Sequence, residues 1–277
     1  MTRPRTVLIT GATDGLGLAL AQRLAADSAE LILHGRNQAK LDRITDQFAA
    51  RGVSRPRTVT ADLADLDQVR RMAVEIHASV ERLDVLVNNA GIGAGQPDGR
   101  TRRTSADGHE LRFAVNYLAG FLLTLELLPL LRASAPARIV NVASIGQHPL
   151  DFDNLMLERD YDGIRAYGQS KLAQITSGFE LAARLPAAEV TLNSLHPATY
   201  MPTKIVLAEI GHSIDTVEQG VTATHRLVSD QALAGTTGRF YDRTRDTRPH
   251  SQAYDSQARL RLWQTSLELT KAQSPLS

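Results

Sequence analysis

Tyr167 and Lys171 stand four residues apart in the stretch AYGQSK, residues 166–171, with Ser170 beside the lysine. If that stretch is a helix, positions i and i+4 share a face, so a phenol and an ammonium point the same way. A free tyrosine, with a pKa near 10, is about 3 units and roughly 4 kcal/mol too weak an acid to give up a proton at neutral pH. A cation one turn away favours the phenolate and lowers that value. The pair reads as a proton donor tuned by a neighbouring charge. The ordinary alternative is an exposed amphipathic pair on a helix surface, and the rest of the chain decides between them.

Three further groups carry chemistry. TGATDGLG, residues 10–17, holds Gly11, Gly15 and Gly17 just after a short apolar run. A glycine-rich turn between a strand and a helix lets the backbone approach a pyrophosphate, and the free N–H groups of the helix start face it. HGRN, residues 34–37, stands where an acidic residue would bond the ribose hydroxyls of NAD. Arg36 is there instead, and a guanidinium pairs with a 2′-phosphate through two parallel bonds. NADP(H) is therefore the expected cofactor, although Asp14 in the first loop is mildly unfavourable beside a phosphate. Ser144 ends the apolar run ARIVNVAS, at the strand end where α/β sheets place ligands.

These groups need elements to hold them. Short β-branched runs at 5–10, 29–35, 56–63, 83–91, 137–144, 189–197 and 238–242 alternate with helical spacings at 16–27, 37–52, 65–80, about 107–132, a helix carrying Tyr167, and 256–270. Such alternation predicts an α/β fold of Rossmann type, doubly wound, with a mainly parallel seven-stranded sheet and helices on both faces. No linker, repeat or low-complexity tract interrupts residues 1–277, so one domain is expected. A substrate loop is expected at about 199–215 and a C-terminal helix at about 256–270.

Composition narrows the functions. Thirty-one basic and 30 acidic residues give a net charge of +1, which argues against a nucleic-acid or anionic-membrane binder. The basic runs GRTRR (99–103) and DRTRDTR (242–248) read as solvated loops. The chain has no cysteine, so thiolate and disulfide chemistry is excluded, and the eight histidines show no metal-ligand spacing. A metal is not expected. The N-terminus lacks a secretory h-region and no long uninterrupted apolar stretch is present, so a cytoplasmic protein is expected. Arg outnumbers Lys 27 to 4, a coding bias that suggests a bacterial source.

Six motifs now stand in order: TGATDGLG, ADL (61–63), NNAG (88–91), Asn116 in VNYLAG, Ser144 in NVAS, and YGQSK. Together they span about residues 5 to 242 and resemble the short-chain dehydrogenase/reductase family, with a looser likeness to its retinol-dehydrogenase-like branch in 151–174 and LNSLHPA. The resemblance implies a catalytic set of Asn116, Ser144, Tyr167 and Lys171. Tyr167 would be the acid/base, Ser144 would bond the substrate oxygen, Lys171 would also bond the nicotinamide ribose, and Asn116 would hold a relay water.

For the cofactor the implied residues are Gly11, Thr13, Gly15, Leu16, Gly17, Arg36 and Asn37, with Asp62 and Leu63 at the adenine. Asn89, Ala90 and Gly91 would line the adenosine and ribose, and Pro197 and Thr199 would hold the nicotinamide end with Tyr167 and Lys171. The family's usual Pro-Gly is Pro197-Ala198 here, and alanine resists positive φ, which puts the Thr199 contact in question. Asn88 reads as structural. Gln147, His148, Tyr200 and Met201 are candidate substrate contacts. The implied reaction moves a hydride between NADP(H) and a small-molecule carbonyl or alcohol of unspecified scaffold. Reduction of an activated C=C or C=N bond, and a non-catalytic NADP(H) sensor, remain as alternatives. Self-association through the helices at 107–132 and 163–185 is the family's common mode.

Overall fold

The computed structural model describes residues 3–95 and 99–274. Its centre is one eight-stranded sheet in the order β3-β2-β1-β4-β5-β6-β7-β8. The strands are β1 (Thr6–Ile9), β2 (Glu30–Gly35), β3 (Arg57–Thr60), β4 (Val85–Asn88), β5 (Ala137–Val142), β6 (Val190–His196), β7 (Arg239–Asp242) and β8 (Arg245–Thr247). All neighbours pair parallel except β7 and β8. The order reverses around β1, so the loops leaving β1, β4, β5 and β6 meet at one edge, the place where such sheets bind ligands.

Helices cover both faces. On one lie α1 (Gly15–Ala26), α2 (Gln38–Ala50) and α7 (Val217–Ser229), packed on a core that includes Val7, Ile9, Leu33, Leu41, Val87 and Val140. On the other lie α3 (Leu66–Ser79), α4 (Leu111–Ala133), α5 (Gly163–Arg184) and α8 (Ser256–Thr270), around Leu8, Ile32, Leu86, Ile139 and Leu192. A short helix, α6 (Lys204–Glu209), lies outside the sheet edge. Alternate strand residues enter opposite cores, as the two-residue period requires, and burial on both faces explains why the central strands are rich in apolar residues.

α4 is long and apolar enough to cross a membrane by length and composition, yet 78% of that stretch is buried inside the protein. α8 lies over α5 and the start of α4. Trp263 meets Phe121 edge-on at 5.2 Å, Tyr117 shares a 2.6 Å hydrogen bond with Ser266, and Arg259 pairs with Glu180 at 3.1 Å. The C-terminal helix thus covers part of the two long helices within the same chain.

The sheet has one strand more than the seven expected. The basic run at 242–248 is not a solvated loop: Arg245–Thr247 turns back as an antiparallel strand on β7, and Arg243 sits in the intervening turn. Helix α7 was not foreseen either, although its capping box, Thr216 with Gln219, is a readable start signal. The expected helix at 107–132 begins later, at Leu111, and contains a π-helical turn over Ala114–Leu118.

Candidate active site

The turn after β1 is built for close approach. Gly15 has φ +50°, in the left-handed region that glycine alone enters cheaply. A Cβ on Gly17 would lie 2.4 Å from the Gly11 carbonyl oxygen and 2.6 Å from Asn89 Nδ2, so only glycine lets α1 meet this turn. Asp14 is the N-cap of α1, and its carboxylate accepts the Gly15 N–H at 2.9 Å. The wall behind the turn is bonded tightly. Thr10 Oγ1 accepts the N–H groups of Asn89 and Ala90 at 2.9 and 3.0 Å, and Asn89 Nδ2 returns bonds to the carbonyls of Thr10 and Gly11. Asn89 therefore braces the turn.

His34 was missed by the sequence reading, which used its neighbour Arg36. It is fully buried, accepts the Gly11 N–H on Nδ1 at 3.2 Å and donates from Nε2 to the Ala61 carbonyl at 3.0 Å. Burial pushes its pKa below the usual histidine value, so the ring is the neutral Nε2–H tautomer. A polar residue inside an otherwise apolar buried strand was the available signal. Beside it, a Cβ on Gly35 would strike the Thr13 methyl, so the first loop and the end of β2 touch. Arg36 is exposed there, and Asn37 caps α2 by accepting the Lys40 N–H.

The other cofactor candidates divide. Asp62 accepts the Ala64 N–H and shapes the turn after β3, Leu63 is buried in the core, and Leu16 is buried against the sheet. Gly91 faces the centre: a Cβ there would lie 3.2 Å from Asn116 Oδ1 and 3.6 Å from Lys171 Nζ. Asn88 is buried, and its amide donates to Thr124 and to Asn141 on β5.

Asn116 and Lys171 meet at Gly91, and Ser144 and Tyr167 meet at Gly146, where an added Cβ would lie 3.4 Å from Ser144 Oγ and 3.8 Å from Tyr167 Cε1. Ser144 Oγ accepts the Gly146 N–H at 3.0 Å. Lys171 Nζ is 5.8 Å from the Tyr167 ring centroid and donates to the Val142 carbonyl at 2.9 Å. Burial lowers the Lys171 pKa to about 8. Burial raises that of Tyr167, a hydrogen bond with Ser144 pulls it down, and the Glu209 carboxylate pushes it up. Burial is the largest of these influences and holds the Tyr167 pKa above its ordinary value.

Asn116 lies in the π-helical turn. Its Oδ1 accepts the Ile92 N–H at 2.7 Å, and its Nδ2 donates to the Ile92 carbonyl and to Ser170 Oγ at 3.1 and 3.0 Å. It ties the loop after β4 to α5, and π-turns recur where a side chain must be re-aimed at such a site. That loop is also gripped from behind. The fully buried Arg112 donates to the carbonyls of Gly93 and Ala94 at 2.8 and 2.6 Å. Sequence reading passed over it, since an arginine in an amphipathic helix normally faces water.

The segment 199–215 arches over the opening. Thr203 Cγ2 would be 3.1 Å from a Cβ on Gly15, and Glu209 packs on Gly95. Tyr200 is exposed, with φ 45°, and sits edge-on to His212. Met201 packs inward on Gly220 and the α1 core, so as a substrate candidate it is misplaced. Ala198 is not among the positive-φ residues, which removes the objection to alanine after Pro197. Thr199 is engaged in the segment's own bonding: its N–H donates to Asp215 at 2.7 Å, and its hydroxyl meets His196 and Arg243 at 3.1 and 3.2 Å. Gln147 bridges the Ser144 carbonyl and the His250 N–H, and His148 is exposed.

The arrangement is a glycine turn at the head of α1, with a tyrosine, a serine and a lysine grouped near the ends of the adjoining strands. Comparison with known proteins agrees. A family model described as short chain dehydrogenase matches residues 5–209. Human retinol dehydrogenase 13 is 32% identical over 98% of this chain and 86% of its own length, and human retinol dehydrogenase 14 is 34% identical over 95% and 85%. Among solved structures, a short chain dehydrogenase from Escherichia coli CFT073 complexed with NADPH superposes with TM-score 0.71 at 25% identity, covering 87% of this chain and 97% of that one. Another from Pseudomonas syringae gives 0.69 at 28%, covering 86% and 94%.

Proposed function

The chain belongs to the short-chain dehydrogenase/reductase family, in its retinol-dehydrogenase-like branch, and from that premise we propose that it is an NADP(H)-dependent oxidoreductase interconverting a carbonyl and an alcohol through Tyr167. The observation that carries this reading is the grouping of Ser144, Tyr167 and Lys171 at the sheet edge that also holds the glycine turn. The glycines suit a dinucleotide loop: Gly17 packs α1 directly on the Gly11 carbonyl and Asn89, leaving no room there for a side chain. Gly11, Thr13, Gly15 and Gly17 would hold the pyrophosphate, Arg36 the 2′-phosphate, and Gly91 and Lys171 the nicotinamide ribose. When bound, the nicotinamide supplies or takes up the hydride.

The chain's own residues handle the proton. Tyr167, with its pKa raised, keeps its O–H at neutral pH and can give it to an oxygen gaining negative charge. Ser144 accepts from Gly146, so its hydroxyl hydrogen is available to the same oxygen. Lys171 carries its charge below about pH 8 and offsets the phenolate left behind. Proximity to retinol dehydrogenases supports an apolar alcohol or carbonyl substrate, as do the exposed side chains of Ile145, Ile164, Tyr200, Leu207, Ile210 and Ile214 on the segments around the opening.

The test is loss of reduced-nicotinamide absorbance with NADPH or NADH across retinal, other apolar aldehydes and ketones, and small polar ketones. Consumption of NADPH with apolar carbonyls supports the assignment; preference for NADH refutes the role of Arg36. Arg36→Leu should weaken NADPH binding by about ten- to a hundred-fold, the loss of a charge-assisted hydrogen bond or two, and leave NADH unchanged. Equal losses for both would remove Arg36 from the site.

A further inference from the structure

We infer that Arg243 is a positioning residue that clamps the neck of the 199–215 segment, so that the segment closes over the cofactor cradle as one unit. The segment leaves β6 at His196 and returns at Asp215, and the two ends are stitched together. Asp215 N–H donates to the Thr199 carbonyl at 2.9 Å, and Ile214 N–H to that of Tyr200 at 3.1 Å. The Asp215 carboxylate accepts the Thr199 N–H at 2.7 Å. Arg243 then spans both ends. Its Nε donates to Asp215 Oδ2 at 3.1 Å, and its Nη2 donates to the same oxygen and to Thr199 Oγ1 at 3.2 Å.

Arg243 is itself anchored. It sits in the β7–β8 turn with φ 55°, its N–H donates to the His196 carbonyl at 2.7 Å, and Asp242 lies 3.3 Å from Nη1. His196 completes the knot through Thr199 Oγ1. The Thr199 N–H and hydroxyl, and its carbonyl, are thus spent on the neck, so Thr199 serves by placing Pro197 and Ala198 beside the site. Asp215 is nearly buried while Arg243 is partly exposed; a charge-assisted, two-ended bond of this kind fixes geometry better than a single surface ion pair. Beyond the neck the segment touches the cradle at Gly15 and the far wall at Gly95. A loosened neck would therefore be felt in ligand retention before it is felt in proton transfer. The inference rests on the proposed cofactor reading only for its binding readout.

The chain has four lysines, Lys40, Lys171, Lys204 and Lys271, and only Lys204 lies in the segment. Full-length wild type, Arg243→Leu, Arg243→Lys and Thr199→Val are treated with a lysine-specific endoproteinase without cofactor. Melting temperature, NADPH affinity by calorimetry and, where a carbonyl is reduced, KM and kcat are measured on the same samples. For Arg243→Leu the expected result is cleavage at Lys204 faster by roughly ten-fold, the worth of one charge-assisted bond. Cleavage at the other lysines should stay unchanged, KM or the NADPH dissociation constant should rise by a similar factor, and kcat should stay within about two-fold. Arg243→Lys should recover part of the loss, and Thr199→Val, which keeps the ion pair, should show a smaller effect in the same direction.

Unchanged Lys204 cleavage in a folded Arg243→Leu protein would overturn the clamp, as would a uniform rise at every lysine. If Arg243→Leu does not fold, Arg243→Lys and Thr199→Val decide by the same criteria. Proteolysis needs no turnover, so failure of the proposed reaction and failure of the clamp are separable.

Discussion

The floor of the site and the segment that covers it are built in opposite ways. The floor consists of strand ends, α4 and α5, with Gly11, Asn89, Asn116, Ser144 and Lys171 each held by a buried or partly buried hydrogen bond. The cover at 199–215 carries exposed Tyr200, Leu207, Ile210 and Ile214, and its two ends are drawn together at one neck. Buried polar networks that are fully bonded resist rearrangement, whereas exposed segments with few packed contacts open at small free-energy cost. On the proposed function, the rigid part would carry the proton chemistry and the adaptable part would select the substrate.

The sharpest way to break that division is to remove the proton donor. Tyr167→Phe should lower kcat by about 10²- to 10⁴-fold, the usual worth of a general acid, with NADPH binding unchanged by calorimetry. Turnover within ten-fold of wild type would move the chemistry elsewhere. Gly17→Ala comes next. Its methyl meets the Gly11 carbonyl, and overpacking of this kind costs about 1–3 kcal/mol. Thermal unfolding should fall accordingly and NADPH binding should be lost. A stable, NADPH-binding Gly17→Ala protein would show that the floor yields.

Acid should weaken both the floor, through His34 at the first turn, and the neck of the cover, through His196 beside Thr199. His196 has its pKa lowered to about 4, and His34 is lowered as well, both chiefly by burial. The unfolded chain therefore binds these protons near pH 6.5 while the folded chain does not. Stability is full above pH 6.5 and falls as pH drops below it, down to about 4 in the case of His196, by up to about 1.4 kcal/mol per pH unit for each histidine still losing ground. Urea melts at pH 7, 6 and 5 measure this, and His34→Gln should flatten the slope. The lowered carboxyls of Asp65 and Asp215 act in the same direction only below their ordinary value of 3.8. The smallest effect belongs to the cover. Leu207→Ser, at an exposed position, should change stability by less than about 0.5 kcal/mol and raise KM for apolar carbonyls more than for small polar ones. Equal KM values would detach the apolar rim from selection.

How much of this was legible depended on range along the chain. The glycine turn, the NNAG corner and the Tyr167–Lys171 spacing are local signals, and the structure brings all of them to one sheet edge. The strand ends were readable because buried parallel strands are short apolar runs. The fate of 242–248 was not, since β-branched patterning is weak there and only pairing with β7 makes it a strand. Met201 and Tyr200 are adjacent in sequence yet face opposite ways, one into the α1–α7 core and one outward; a left-handed residue at 200 separates them.

The sequence by itself determined the alternation of strands and helices, the glycines that admit a dinucleotide, and the residue types at the reacting centre. Each of these is set by conformational preference and spacing within one or two turns of chain. Only the tertiary structure decided that Arg112 is buried behind the Gly93 loop, that His34 braces the first turn, that Ser144 and Tyr167 meet at Gly146, and that Arg243 reaches the neck from 28 residues away. Such contacts depend on strand register and on which loops share an edge, and these follow from how all the elements pack at once.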